Sequence, residues 1–449
     1  MTPCFVRVNW YFTGVYVGLA AMVNGIGFRA QEGRRGRPSR LVVLALLMAE
    51  AAVSPAPAAS LAGLKIWPLA ALPPAAANAP DDYRDLAPFA EAIGQARIVA
   101  LGEQTHGGRE EFRLKLRLLK FLHEKLGFEV LLLESGFYDI ARLAERMAAG
   151  EQLDEMAPGH VFFMYANSAE GREMLRYVDA QQTSATPLGL AGIDSQHSGA
   201  LSQAEMLPRL RAFLRQRGSD LAEAEVWSDF AAPLAQLLAM QPQIPAPALR
   251  LAFEWRSQAI RAELCPAAPV KGRPEPAESW CQIVKSLQSQ AASVWSGGSD
   301  YQRDNQMGDN AIWLMERMFP GKKAVVWAHT IHVAKGFKRS EAQLQAGEVM
   351  ARHWGAEGYK VVQFTAGGGA VLDFGDMRPR ALPALLPGSL EQGLAALAGE
   401  SLMVQPFERR PITLPQWSID YQTEPRGQLG RNWDVLFFLR RVGPVTMTR

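Results

Sequence analysis

The chain has 449 residues, 48% of them hydrophobic, which is enough for a sizeable core and excludes general disorder outside the N-terminal quarter. Lys and Arg number 47 against 45 Asp and Glu, and no basic stripe interleaved with aromatics occurs, which argues against nucleic acid as a partner. Length allows two or three domains, or one large α/β domain with insertions.

At the N-terminus, Arg34, Arg35, Arg37 and Arg40 precede the apolar run Leu41 to Leu47, and small residues around Ala58 and Ala59 follow. A charged region, an apolar core and a small-residue site is the pattern of a secretory signal peptide. The pattern lies far from Met1, so either the true start is downstream, at Met22 for example, or Trp10 to Phe28 is a membrane segment. Residues 1–59 are therefore expected to be a signal or anchor, 60–81 an Ala/Pro-rich linker and 82–449 the catalytic domain. Periplasmic or secreted localisation follows, with no stable membrane partner after signal cleavage. Cys265 and Cys281 then either form one disulfide or remain two buried thiols.

The short apolar run Ile98 to Leu101 is too short for a helix and stops at Gly102, so it reads as a buried strand. From Arg109, Phe112, Leu116, Leu119, Leu122 and Leu126 recur at spacings of three and four, giving an amphipathic helix that Gly127 ends. Val130 to Leu133 is the next strand, with Glu134 at its end, so the pair forms a right-handed βαβ unit. Helices follow over Phe137 to Ala149 and Ala169 to Gln181. A third strand, Pro187 to Ile193, ends in Asp194-Ser195-Gln196-His197. Residues 200–298 read as helices broken by proline-rich turns, a helical insertion or lid between the third and fourth strands. Arg303, Met307 and Asn310 then share one helix face. Lys323 to Ala328 is the fourth strand, ending at His329-Thr330-Ile331-His332, and Tyr359 to Phe364 the fifth. The Gly367 to Gly369 loop lacks any phosphate-loop spacing and reads as a turn. Leu402 to Gln405 and Val435 to Leu439 are late strands. The fold class is α/β, a mainly parallel sheet flanked by helices.

In such sheets ligands bind beyond the carboxyl ends of the strands. Of seven histidines, His106, His329 and His332 lie just past strand ends, on the edge that also carries Glu103, Glu134 and Asp194. Histidine serves as a general base near neutral pH, and a neighbouring carboxylate holds its tautomer and supports the imidazolium. His123, His160 and His353, taken singly, read as satisfied core residues. No Gly-x-Ser-x-Gly elbow occurs, which argues against a serine nucleophile and leaves attack by water. That water can be activated by a histidine or by a metal on Glu103, His106, Glu134, His329 and His332, and the spacing leaves both routes open.

At these residues the chain resembles the erythromycin esterase family. The resemblance rests on Gly102-Glu103-Gln104-Thr105-His106-Gly107, Glu111-Phe112 with Lys115, and the strand from Gly127-Phe128 to Glu134. It continues through Gly192-x-Asp194-x-Gln196, Arg303-Asp304-x-x-Met307-x-x-Asn310 and Trp327-Ala328-His329-x-x-His332. It implies an α/β core with a helical region over the site, and hydrolysis of a small-molecule ester such as a macrolide lactone without a covalent intermediate or cofactor. His106 would activate water, with Glu134 and Glu103 orienting it. His329 and His332 would bind substrate or return the proton to the leaving alcohol. Lys115 would face the developing oxyanion, and Asp194 and Arg303 would contact substrate. Thr330 stands where asparagine is expected, Lys115 where some members carry arginine, and the piece around Tyr165 matches only loosely. The competing readings are a metal- or haem-binding protein or metallohydrolase on the same fold, and an envelope binding protein without turnover.

Overall fold

A computed structural model describes residues 61–72, 81–241, 243–266 and 274–448. The expected signal or anchor, residues 1–59, lies outside them. Eight strands form the central sheet: β1 (Leu64–Pro68), β2 (Ile98–Glu103), β3 (Phe128–Gly136), β4 (Gly189–Asp194), β5 (Lys323–His329), β6 (Tyr359–Ala366), β7 (Ser401–Pro406) and β8 (Val435–Leu439). Their spatial order is β1-β7-β8-β6-β2-β5-β3-β4. The neighbours from β8 to β4 pair in parallel, and β7 is antiparallel to both β8 and β1.

The buried strands alternate between two cores because both faces are covered. Ile98, Ala100, Val130, Leu132, Ala324 and Val326 face one apolar cluster, while Val99, Leu101, Leu131, Leu133, Val325 and Trp327 face the other. Helix α1 (Arg109–Leu126) and α2 (Phe137–Ala148) follow β2 and β3, and α3 (Ala169–Gln181) precedes β4. The expected insertion consists of α4 (Leu207–Gln216), α5 (Ala224–Leu238), α6 (Pro247–Leu264) and α7 (Pro276–Trp295). A disulfide joins Cys265, just past α6, to Cys281 in α7, which decides between the two expected cysteine states. Helix α8 (Arg303–Trp313) leads back to the sheet, and the single-turn α9 (Thr330–Val333) follows β5 directly. No helix among the described residues is long and apolar enough to cross a membrane.

One expectation is revised. The stretch assigned to the linker, 60–81, contains β1, which pairs with β7 from Leu64 opposite Pro406 to Pro68 opposite Leu402, so the sheet begins before residue 82. An edge strand needs only one buried face, and Leu64 is the one residue of the five that is buried, too weak a pattern to read from sequence. The first two expected strands, β2 and β3, are parallel members of one sheet, and β5 lies between them. That interleaving places Glu103 directly across from His329, with Glu134 at the end of the next strand.

Candidate active site

Three adjacent strand ends and the turns after them build the site. Gly102 lets α9 close down on the end of β2: a Cβ there would lie 2.9 Å from the Thr330 Cα. Gly107, in the turn that carries His106, packs so closely on the Leu372 backbone that a Cβ would stand 1.9 Å from its carbonyl oxygen. These contacts hold His106 just above the sheet edge.

The His106 Nδ1 lies 3.1 Å from Glu103 Oε1, which also accepts a hydrogen bond of 3.0 Å from the Tyr165 hydroxyl. The second Glu103 oxygen is paired with Lys115 Nζ. Lys115 projects from α1, is fully buried and rests over the Trp327 ring, 4.3 Å from its centroid. Burial alone would raise the Glu103 pKa, but Lys115 and His106 outweigh it and hold it at about 2. With an ionised carboxylate at Nδ1, the neutral imidazole carries its proton there and presents Nε2 as a free acceptor. That Nε2 is 4.0 Å from Glu134 Oε1.

Glu134 is the hub of the edge. One oxygen accepts the His329 backbone N–H at 2.7 Å, and the other lies 3.2 Å from His332 Nε2 and 3.5 Å from an Arg303 nitrogen. His332 is only 2% exposed, and its Nδ1 is 2.5 Å from Asp304 Oδ1. Burial works against its charge, yet Asp304 and Glu134 together push its pKa up to about 10, so it is an imidazolium at neutral pH. Burial likewise opposes ionisation of Glu134, while His332, His106 and Arg303 hold its pKa well below the usual carboxylate range. Arg303 binds Asp194 in a bidentate fork of 2.9 and 2.6 Å.

His329 faces His106, with ring centroids 5.2 Å apart. Its Nδ1 accepts the Ile331 N–H at 3.2 Å, so the neutral ring carries its proton on Nε2. That nitrogen is 2.7 Å from the Gln104 carbonyl and 3.1 Å from Asp420 Oδ1. Burial would lower the His329 pKa, but Asp420 and Glu134 raise it overall. The rings of Phe162 and Phe374 stand edge-on to His106 at 4.6 and 5.3 Å, giving its ring an apolar rim.

All eight expected site residues therefore gather at one edge, but several of them make contacts other than those the resemblance implied. Lys115 supports Glu103 from behind and does not face an oxyanion. Both ring nitrogens of His332 are engaged by carboxylates, and Asp194 and Arg303 neutralise each other, so these three build the wall around Glu134. The five candidate metal donors are spread through these pairs, and no group of three or more His, Cys, Asp or Glu among the described residues has the geometry to hold a metal ion. Sequence reasoning did not assign Tyr165, Asp304, Glu111, Asp420 or Tyr421 to the site. Asp304 was visible beside Arg303, but its partner His332 is 28 positions away. Glu111, fully buried, accepts from the Tyr421 hydroxyl and from the Gln104 backbone, and burial with the nearby Glu103 charge pushes its pKa up to about 7 despite those hydrogen bonds. The unexpected Thr330 donates to Gln363 at 2.5 Å and accepts from the Trp433 indole at 2.9 Å, so its hydroxyl is fully used.

The sequence profile of erythromycin esterases matches residues 123–438, which takes in Glu134, Asp194, Arg303, His329 and His332. The chain belongs to the erythromycin esterase family. Relatives of this esterase-family chain include the "Putative hydrolase YbfO" of Bacillus subtilis, 25% identical over 56% of the chain and 59% of the relative. Another is the "Erythromycin esterase type II" of Escherichia coli, 23% identical over 58% of the chain and 66% of the relative. The chain thus spans less than two thirds of the length of these curated relatives. Among solved structures, an erythromycin esterase mutant, EreC, in its open conformation superposes with a TM-score of 0.59 at 19% identity, over 81% of this chain and 95% of that one. A Bacillus cereus protein gives 0.66 at 19% identity, covering 86% of this chain and 97% of its own. A succinoglycan biosynthesis protein gives 0.64 at 20% identity, covering 85% and 95%. These likenesses show a shared fold.

Proposed function

We propose that this family member hydrolyses a carboxylic ester, a macrolide lactone or similar, by direct attack of a water that His106 activates. One observation carries the reading: His106 is held by an ionised Glu103 at Nδ1 while its Nε2 stands 4.0 Å from Glu134 Oε1. A water about 2.8 Å from each of those atoms fits that separation. As the water oxygen attacks the carbonyl carbon, its proton passes to Nε2, and Glu103 supports the imidazolium that forms. Collapse of the tetrahedral intermediate expels the alkoxide, which takes the proton back from His106. Glu134 orients the water, and His332, Arg303 and Asp194 keep Glu134 ionised and immobile. His329, whose proton is committed to Gln104 and Asp420, fixes the opposite wall of the site.

The macrolide assignment is supported by the name of the Escherichia coli relative. The Cys265–Cys281 disulfide supports an exported, periplasmic or secreted protein, since such bonds persist in oxidising compartments.

The test is ester hydrolysis by the purified protein on a macrolide and a panel of simple esters, comparing wild type, His106→Ala and chelator-treated enzyme. Turnover by wild type, a loss on the order of 10² or more in His106→Ala and indifference to chelator are expected. Loss on chelation with recovery on adding zinc would replace histidine activation with metal activation, and full activity in His106→Ala would remove the reading.

A further inference from the structure

The long connection between β7 and β8 enters the site through a two-residue hairpin turn, Ile419 to Gln422. Ile419 and Gln422 bridge each other, and the Gln422 N–H donates to the Ile419 carbonyl at 2.9 Å. Both central residues, Asp420 and Tyr421, have positive φ, 52° and 54°, although neither is glycine. Backbone of this kind is disfavoured for residues with a Cβ and persists where surroundings over-determine it.

Here the surroundings are the catalytic edge. The Tyr421 N–H donates to the Gln104 side-chain oxygen at 3.1 Å, and its hydroxyl donates to buried Glu111 on α1. The Asp420 carboxylate reaches His329 Nε2 at 3.1 Å. The turn thus ties together the end of β2, the start of α1 and the end of β5, three elements distant in sequence. The side chain of Asp420 is 55% exposed, whereas the Glu103, Glu134, Asp304 and Asp194 side chains are each under 10%. Solvent therefore reaches the site edge at Asp420. The other charged or titratable groups facing His329 are Glu134, His332 and His106.

We propose that Asp420 is a positioning residue of the ester hydrolysis: together with the Gln104 carbonyl, its carboxylate holds the Nε2 side of the His329 ring in place, as Glu103 holds the Nδ1 side of His106 on the facing wall. The strained turn is what delivers it there. This rests on the hydrolytic reading of the same site for its kinetic consequence, but the orientation of His329 is measurable without turnover.

The experiment uses Asp420→Asn and Asp420→Gly. Asparagine and glycine accept positive φ at least as readily as aspartate, so the turn survives both changes. In both variants kcat falls about tenfold to a hundredfold, as expected when the ring that faces His106 across the site is displaced, while KM and the thermal midpoint hold. In parallel, ring nitrogen resonances are recorded on protein carrying ¹⁵N-histidine, with His329 assigned from its absence in His329→Gln. The His329 Nε2 resonance moves in Asp420→Gly while those of His123 stay in place. Unchanged kcat in both variants, or a kcat loss that tracks a lowered thermal midpoint, overturns the proposal. If wild type cleaves no ester, the hydrolytic reading falls by itself, and the resonance decides alone: a shift keeps Asp420 as the residue that orients His329, and no shift removes it.

Discussion

Two buried histidines show how differently this protein uses the same side chain. His332, at the candidate active-site edge, lies between Asp304 and Glu134 and is pushed up to about 10. His197, just past β4 and against α7, is fully buried, and no hydrogen-bond partner reaches either ring nitrogen. Only its backbone N–H is held, by the Gln290 side chain at 3.0 Å. Burial alone pushes it down to about 3. Burial removes water from both rings equally; the difference comes from the carboxylates, which the edge supplies and the region under the insertion does not. The edge is held by alternating charges, the insertion by apolar packing and a disulfide.

The largest expected effect comes from breaking the hub. Glu134→Ala leaves His332 and Arg303 without their shared partner and the His329 N–H without its acceptor, and should cost about 3–5 kcal/mol in denaturant unfolding. A loss below about 1 kcal/mol would mean that the edge is not a coupled network.

Next comes the insertion. Cys281→Ser opens a covalent loop with a sequence separation of 16 and should cost about 3 kcal/mol, again by denaturant unfolding. The loss of activity should be smaller than the loss of stability, since none of the candidate site residues lies on α6 or α7.

Smaller still is the pH dependence that separates the two histidines. The folded pKa of His332, about 10, lies above its ordinary value of 6.5. Its stabilisation is therefore fully present below about 6.5 and lost as pH rises through about 10. His332→Gln should flatten the decline of the thermal midpoint on that alkaline side. His197 has the opposite sign: its folded pKa is depressed, so it costs stability as pH falls below its ordinary value of 6.5 toward about 3. His197→Leu should remove that acid sensitivity and change stability at pH 7 by less than about 1 kcal/mol, because no side-chain hydrogen bond is lost. A marked destabilisation at pH 7 would show that the His197 ring has a partner after all.

Much of the catalytic edge is legible in the sequence because it follows from local rules. Short apolar runs that stop at glycine or at polar residues mark Glu103, Glu134, Asp194 and His329 as strand ends, and parallel strands put those ends on one side. The helical spacing of α1 and of the insertion is equally local, and the bounds of α3 and β8 agree with the periodicity to the residue.

What each of those side chains touches was decided only in three dimensions. Lys115 is 12 positions from Glu103, Tyr165 is 62 from it, and Asp420 is 91 from His329. No periodicity links such pairs, because contact between them depends on the strand order, and placing β5 between β2 and β3 is a long-range choice. The sequence by itself determined which residues stand at the sheet edge, since backbone pattern and burial are local. Only the tertiary structure decided which of them are charged, paired or free to take a proton, since that is set by neighbours brought together from seven separate stretches of chain at a largely buried edge.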